Sequence, residues 1–145
     1  MISAETMDRL GKLGVRPEWG VFHERLCGPF LLGAEGPLAI FANREFATDW
    51  AGLGDDWGVY PLYTLGRLMD EAKQDGYRLS VYPTETGYEV DVLSKDPDIG
   101  EWVEVYRKVD DYWVSEFIHE NVAEAASQAV CFIKERKQLI SEAAV

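Results

Sequence analysis

Gly76-Tyr77-Arg78-Leu79-Ser80-Val81-Tyr82-Pro83-Thr84-Glu85-Thr86-Gly87-Tyr88-Glu89-Val90-Asp91-Val92-Leu93 is the stretch from which the fold is read. Leu79 and Val81 alternate with Arg78, Ser80 and Tyr82, the period-2 pattern of a strand with one buried face. Val90 and Val92 repeat it against Glu89 and Asp91. Thr84 to Gly87 between the two runs is polar and ends in glycine, so they read as neighbouring antiparallel strands. Towards the C-terminus, Asp96-Pro97-Asp98-Ile99-Gly100 is a second turn. It predicts a third strand from Glu101 to Arg107, and Lys108 to Asp111 lead to a fourth from Tyr112 to Ile118. Asn121, with Glu124 three places later, makes a capping-box start for a last helix. The stripe of that helix is Val122, Ala125, Ala126, Ala129, Val130 and Ile133, continuing toward Leu139 and Ile140. Towards the N-terminus, Thr64 caps a helix with Leu65, Leu68, Met69 and Ala72 on one face, and Gly76 stands where a C-terminal glycine belongs. These elements predict an α+β fold: an antiparallel four-stranded sheet in an αββββα unit over residues 59–140.

A smaller α/β-hairpin extension, residues 1–58, precedes it. Ser3 caps a helix over residues 4–13 that Gly14 ends. Val21 to Cys27, Pro29 to Leu32 and Pro37 to Phe41 read as extended pieces, the last two flanking a Gly33-Ala34-Glu35-Gly36 turn. Asn43 caps a helix over Arg44 to Leu53. Gly52, Gly54 and Gly58 around Asp55-Asp56 mark the expected internal joint. With 145 residues the chain has the usual size of one domain, 1–145, and buries roughly 68–70% of its unfolded surface without metal or disulfide staples. No apolar run is long enough to span a bilayer, and Met1-Ile2-Ser3-Ala4-Glu5 lacks the pattern of a secretory signal. Two cysteines, Cys27 and Cys131, form no disulfide framework, so a reduced cytosolic protein is expected.

Charge carries the functional signal. Twenty-six acids face fourteen bases, a net charge of −12. Between Glu85 and Glu124, twelve carboxylates are opposed only by Lys95, Arg107 and Lys108, so this stretch holds nine of the twelve net negative charges. Direct binding of nucleic acid or of an anionic membrane is disfavoured, because both need clustered Lys and Arg. A basic protein surface is the partner such a field attracts.

The segment from about Tyr60 to Lys137 resembles small phage-encoded proteins of the ABA-sandwich type. The matching residues are Gly76-Tyr77-Arg78-Leu79, Gly87-Tyr88-Glu89-Val90, and Ala123 through Ala126 leading to Val130-Cys131. The resemblance implies a phage or mobile-element origin and no assigned chemistry. The element order is also similar to that of double-stranded RNA-binding domains. The last helix here opens on Glu120 and Glu124, however, where those domains place lysines on phosphate.

Catalytic and metal motifs are incomplete. His23-Glu24 and His119-Glu120 open like a zinc-protease signature but lack the second histidine. Asp96-x-Asp98-x-Gly100-Glu101 lacks the third acidic position and the distant glutamate of a calcium loop. A Cys27–His119 nucleophile–base pair competes with the commoner buried structural cysteine. No glycine-rich loop follows a strand to cradle phosphate. No catalytic residue, metal site or cofactor is assigned.

Alternation predicts that Leu79, Val81, Val90, Val92, Val103, Val105, Trp113 and Phe117 face the helices. The opposite face then carries Arg78, Ser80, Tyr82, Glu89, Asp91, Trp102, Glu104, Tyr106, Tyr112, Val114 and Glu116. Aromatics interleaved with carboxylates make a protein-binding surface, unless Phe22, Phe30, Phe41 and Trp50 cover it as a second layer. The expected partner-binding residues are Glu85, Glu89, Asp91, Asp96, Asp98, Glu101, Trp102, Glu104, Tyr106, Asp110, Asp111, Tyr112 and Glu116. The expected function is a non-catalytic inhibitor of a host nuclease or nucleic-acid-binding complex, anti-CRISPR-like or anti-restriction, with carboxylates mimicking phosphates. The alternatives are a small-ligand or nucleotide-signal sponge, in which Trp19, Trp50 and Trp57 stack a base near Arg16 or Arg44, and an acidic interaction domain of unknown role.

Overall fold

The computed structural model describes residues 2–23 and 37–143. Several expected features fall outside these residues: the strand beyond His23, the Pro29–Leu32 piece, the Gly33–Gly36 turn, Cys27 and Phe30. Within them the chain is an α+β protein with two compact units, one spanning Arg16–Thr64 and the other Ile2–Val15 with Leu65 onward.

In the first unit, β1 (Glu18–His23) is the centre of an antiparallel sheet of order β2-β1-β3, with β2 Ala39–Phe41 and β3 Trp57–Leu62. Val21 pairs with Ala39 on one side and Val59 on the other. Helix α2 (Arg44–Ala51) covers this face and buries Ala47 and Ala51 against Val21. Its N-cap is Asn43, whose side-chain oxygen accepts from the Glu45 amide at 2.7 Å. The expected joint at 52–58 is instead part of the packing. Gly54 seats the Trp57 ring, where a Cβ would lie 2.2 Å from the indole, and β3 then pairs along the full length of β1. The sequence placed the division at 58/59; the contacts divide the chain after Thr64.

The second unit is built on the strands read first. β4 (Tyr77–Pro83) pairs in register with β5 (Tyr88–Lys95), Leu79 opposite Val92 and Val81 opposite Val90. The expected third and fourth strands are each broken. β6 (Trp102–Glu104) and β9 (Glu116–His119) lie end to end along the free edge of β5, β6 on Leu93–Lys95 and β9 on Tyr88–Asp91. Between them the chain leaves the sheet as a separate hairpin, β7 (Arg107–Val109) and β8 (Tyr112–Val114), and returns through buried Ser115. The cause is geometric: one eight-residue edge seats two short strands, and the residues between them have no partner on it. Trp113, expected inward, is consequently 69% exposed on the hairpin, and Val103 is 38% exposed at the sheet end.

The inner face, with Leu79, Val90, Val92 and Phe117 buried, is covered by α3 (Leu65–Gln74) and α4 (Val122–Ala143). Ala125, Ala126 and Ala129 are fully buried, and their small side chains let α4 lie close on the strands. Gly76, at φ +84°, ends α3 in the left-handed conformation expected of it. Leu139 and Ile140, expected to continue the buried stripe, are exposed near the end of a helix about 33 Å long. Helix α1 (Ala4–Lys12) packs on α4, with Leu10 fully buried. Only half of the capping box forms. The Glu124 amide donates to Asn121 Oδ1 at 3.1 Å, but the Glu124 carboxylate turns to α1, accepting from Thr6 Oγ1 at 2.7 Å and from Ser3 N and Oγ. Burial opposes ionisation of Glu124, and the bonds from Thr6 and Ser3 outweigh it, holding its pKa below the ordinary value.

Candidate functional site: an acidic sheet face

Paired residues of an antiparallel sheet share a face. The pairings therefore place three rows on the side away from the helices: Arg78–Leu93–Glu104, Ser80–Asp91–Glu116 and Tyr82–Glu89–Ile118, with Lys95–Trp102 beyond the first. Directly opposed side chains have Cβ atoms about 5 Å apart, and like charges so placed repel. Asp91 and Glu116 are such a pair, with Glu89 two residues along the same strand and Glu104 in the next row.

Asp91 is the centre of this group. It is only 5% exposed, and its Oδ1 has no hydrogen-bond partner. Burial, and after it the charges of Glu89, Glu104 and Glu116, push its pKa up to about 6. Tyr106, at the point where the chain leaves the sheet, donates its hydroxyl to Glu104 Oε2 at 3.0 Å and brings its exposed ring to the rim. Arg78 shares the face, but its guanidinium stacks 4.4 Å from the centroid of the Trp102 ring. Arg107 stacks 3.6 Å from the centroid of Phe117 and donates to the Glu116 carbonyl at 3.0 Å, tying the hairpin to β9.

The helical side treats its carboxylates differently. Buried Glu71 pairs with Arg67 and Lys134 at 2.8 Å, and Asp75 pairs with Lys134 and Lys137 at 2.7 Å. Among the described residues, no salt bridge reaches Glu89, Asp91, Glu104 or Glu116. The four carboxylates thus have no ion-pair partner, although Arg78 and Lys95 share their face. Nor are the carboxylates a chelating set: among the described residues, no group of three or more His, Cys, Asp or Glu is disposed to hold a metal ion.

The thirteen expected partner-binding residues separate into distinct places. Glu89, Asp91, Glu104 and Glu116 converge on the face, with Trp102 and Tyr106 at its rim. Asp110, Asp111 and exposed Tyr112 form the tip of the β7–β8 hairpin, off the sheet, where Asp110 takes a φ of +55°. Asp96, Asp98 and Glu101 sit in the turn at one end of β5, the Asp98 amide donating to Asp96 Oδ1 at 2.8 Å, and Glu85 sits in the turn at the other end. Those two ends are about 25 Å apart, roughly three Debye lengths at physiological salt, so the two turns do not act on one contact. Of the outward set, Tyr112 and Val114 belong to the hairpin and not to the sheet. Leu93, Lys95 and Ile118 join the face unexpectedly. The hairpin had a signal in the sequence, a two-residue Asp110-Asp111 turn between Val109 and Tyr112.

The aromatic side chains of the first unit are occupied among themselves. Trp50 stacks on Trp57 at 4.8 Å, Phe41 packs on Trp50, Phe22 meets Tyr60 edge-on, and Arg44 lies 5.1 Å from the Trp19 centroid. Cys131 is a buried free thiol whose pKa burial pushes up to about 11, which leaves it a poor nucleophile at neutral pH. No helix among the described residues is long and apolar enough to cross a membrane.

The fold and this face define an α+β protein with a sheet surface on which four carboxylates cluster without an ion pair among the described residues. Compared with known protein families, curated proteins and solved structures, the chain matches none of them. The resemblance to phage-encoded ABA-sandwich proteins therefore rests on the quoted residues alone.

Proposed function

We propose that this chain is a non-catalytic binding protein whose acidic sheet face docks on a cationic surface of a partner protein. The observation that carries the reading is the contrast within one unit: the carboxylates of Glu71 and Asp75 are ion-paired at 2.7–2.8 Å, whereas those of the sheet face have no ion pair among the described residues, Glu104 and Glu116 accepting only from the hydroxyls of Tyr106 and Ser115 at 3.0 Å. Unpaired like charges cost stability, and a partner's cations recover that cost on binding. Exposed Tyr106 at the rim of the face, and exposed Tyr112 and Trp113 on the separate hairpin, are the kind of aromatic anchors that dominate protein interfaces. The partner class that best fits is the basic cleft of a nucleic-acid-handling protein, with carboxylates standing where phosphates sit. An inhibitor of a host defence nuclease, anti-CRISPR-like or anti-restriction, working in a reducing cytosol, is the concrete form.

The test is capture from bacterial lysate by the wild-type chain and by the Glu89→Gln/Glu104→Gln/Glu116→Gln variant, followed by binding of the purified captured protein at rising salt. A basic partner is expected, bound more weakly as salt rises and lost by the triple variant. A partner held equally well by the triple variant at low salt removes the proposal.

A further inference from the structure

Asp91 poses a specific problem. A carboxylate oxygen that is nearly buried and has no donor is rare in a native protein, because it loses hydration, and the one side-chain bond of the Asp91 carboxyl, to the Glu89 carboxyl, brings a second acceptor and not a cation. Among the described residues, none of the cations around the face is ion-paired to it: Arg78 lies on Trp102, Lys95 stands at the far end of β5, and Arg107 lies on Phe117 with one nitrogen on the Glu116 carbonyl and another buried without a partner. What the place lacks is a donor that tolerates partial burial, meets several carboxylate oxygens at once and lies flat beside aromatic rings. A guanidinium has these properties, with five donors in a planar fork, weak hydration and a face that stacks. An ammonium can bridge two carboxylates, as Lys134 does between Glu71 and Asp75, but it is a compact point charge with no planar fork to match a carboxylate and no flat face to lie beside a ring. The same surface already holds one guanidinium against a ring, Arg78 on Trp102 at 4.4 Å.

We infer that the place over Asp91, walled by Glu89, Glu104 and Glu116 and rimmed by Tyr106 and Trp102, receives the guanidinium of a single arginine side chain from the partner. This deepens the docking reading and rests on it. Asp91 and Glu116 accept the fork, and Glu89 and Glu104 complete the negative surround.

The experiment is an NMR titration of the isotopically labelled full chain at low ionic strength with N-acetyl-arginine methylamide. The lysine analogue, sodium chloride and calcium chloride at matched ionic strength serve as comparisons. The expected result is saturable shifts at millimolar arginine, confined to the Trp102 indole and the amides of Ser80, Asp91, Glu104 and Glu116. Lysine is expected to bind at least about five-fold more weakly. Asp91→Asn abolishes the shifts, and Asp70→Asn, on the exposed face of α3, leaves them unchanged. Shifts that do not saturate, a lysine or calcium response equal to that of arginine, or an Asp91→Asn variant that binds like wild type overturns the inference. Failure here, with partner binding still lost in the triple glutamine variant, refutes the arginine site and leaves the docking reading standing. Arginine binding with an unaffected partner does the reverse.

Discussion

Replacing Asp91 by asparagine removes one negative charge from the sheet face and leaves the shape of the side chain almost unchanged. The folded-state pKa of Asp91 is about 6, against an ordinary 3.8, so the folded protein binds this proton more tightly than the unfolded chain does. The stability that the proton contributes is complete below pH 3.8 and is lost as pH rises through 6. Over the whole range the loss is about 3 kcal/mol, at 1.36 kcal/mol per pKa unit. Between pH 5 and pH 7.5 it is about 1.3 kcal/mol. An asparagine amide does not titrate, so the Asp91→Asn variant lacks this part of the pH dependence while every other carboxylate keeps its own.

Urea unfolding of both proteins at pH 5 and pH 7.5, followed by far-ultraviolet circular dichroism, isolates the effect as a difference of differences. With a slope of about 2 kcal/mol/M, the variant's midpoint is expected to gain about 0.6 M on wild type between the two pH values. At pH 7.5 the variant is expected to be the more stable protein by about 1–3 kcal/mol. A variant that is less stable at pH 7.5, or that keeps the wild-type pH slope, means that Asp91 is compensated in the fold and that the face is not under electrostatic load.

Further expectations concern the frame around the face. Glu124→Gln weakens the bonds from Ser3 and Thr6 and lowers stability by about 2–3 kcal/mol in the same unfolding assay. Because the folded pKa of Glu124 is depressed, its contribution holds above pH 4.5 and fades as pH falls, so the deficit of the variant narrows in acid. Gly87→Ala drives a Cβ to 2.5 Å from the Glu120 Cα and the His119 carbonyl, costing about 2–3 kcal/mol of thermal stability. Gly66→Ala meets open space within α3 and raises stability by about 0.5–1 kcal/mol. Arg107→Lys keeps the charge but loses the flat stack on Phe117, and amide exchange in β7 and β8 is expected to quicken about ten-fold with little change in β4 and β5.

The elements legible in the sequence are those whose neighbours are close along the chain. β4 and β5 are joined by a four-residue turn, and the alternation of Leu79, Val81, Val90 and Val92 sets both their register and their face. Glu89 and Asp91 followed from that alternation, and Glu104 and Glu116 from the same period in the two runs after it. The division of the third row did not, because it depends on how much of the β5 edge each strand occupies, which no local pattern in Glu101–Ile118 records. Alternation along Tyr112–Ile118 put Trp113 on the inner face with Phe117, and the departure of the hairpin from the sheet exposes it. β3 was missed because Trp57-Gly58-Val59-Tyr60-Pro61-Leu62 is apolar at both parities and carries a proline, which its place at the edge of the β2-β1-β3 sheet tolerates. Glu124 pairs with Ser3 and Thr6 across more than a hundred residues, so its capping-box spacing concealed a tertiary role.

On the docking reading proposed above, the same carboxylate joins stability and recognition with opposite signs: a proton and a partner's guanidinium both neutralise Asp91 and so compete for it. Below about pH 6 the proton wins: the fold gains stability and the face loses the charge that attracts a cationic partner. Above it, Asp91 is ionised beside Glu89, Glu104 and Glu116, and the folded chain carries a repulsion that the binding of a cation relieves. Asp91 stands opposite Glu116 without an ion pair, in a chain that pairs Glu71 and Asp75 on the other side of the same sheet, and the docking reading proposed above gives a reason for a nearly buried carboxylate to be kept at that cost.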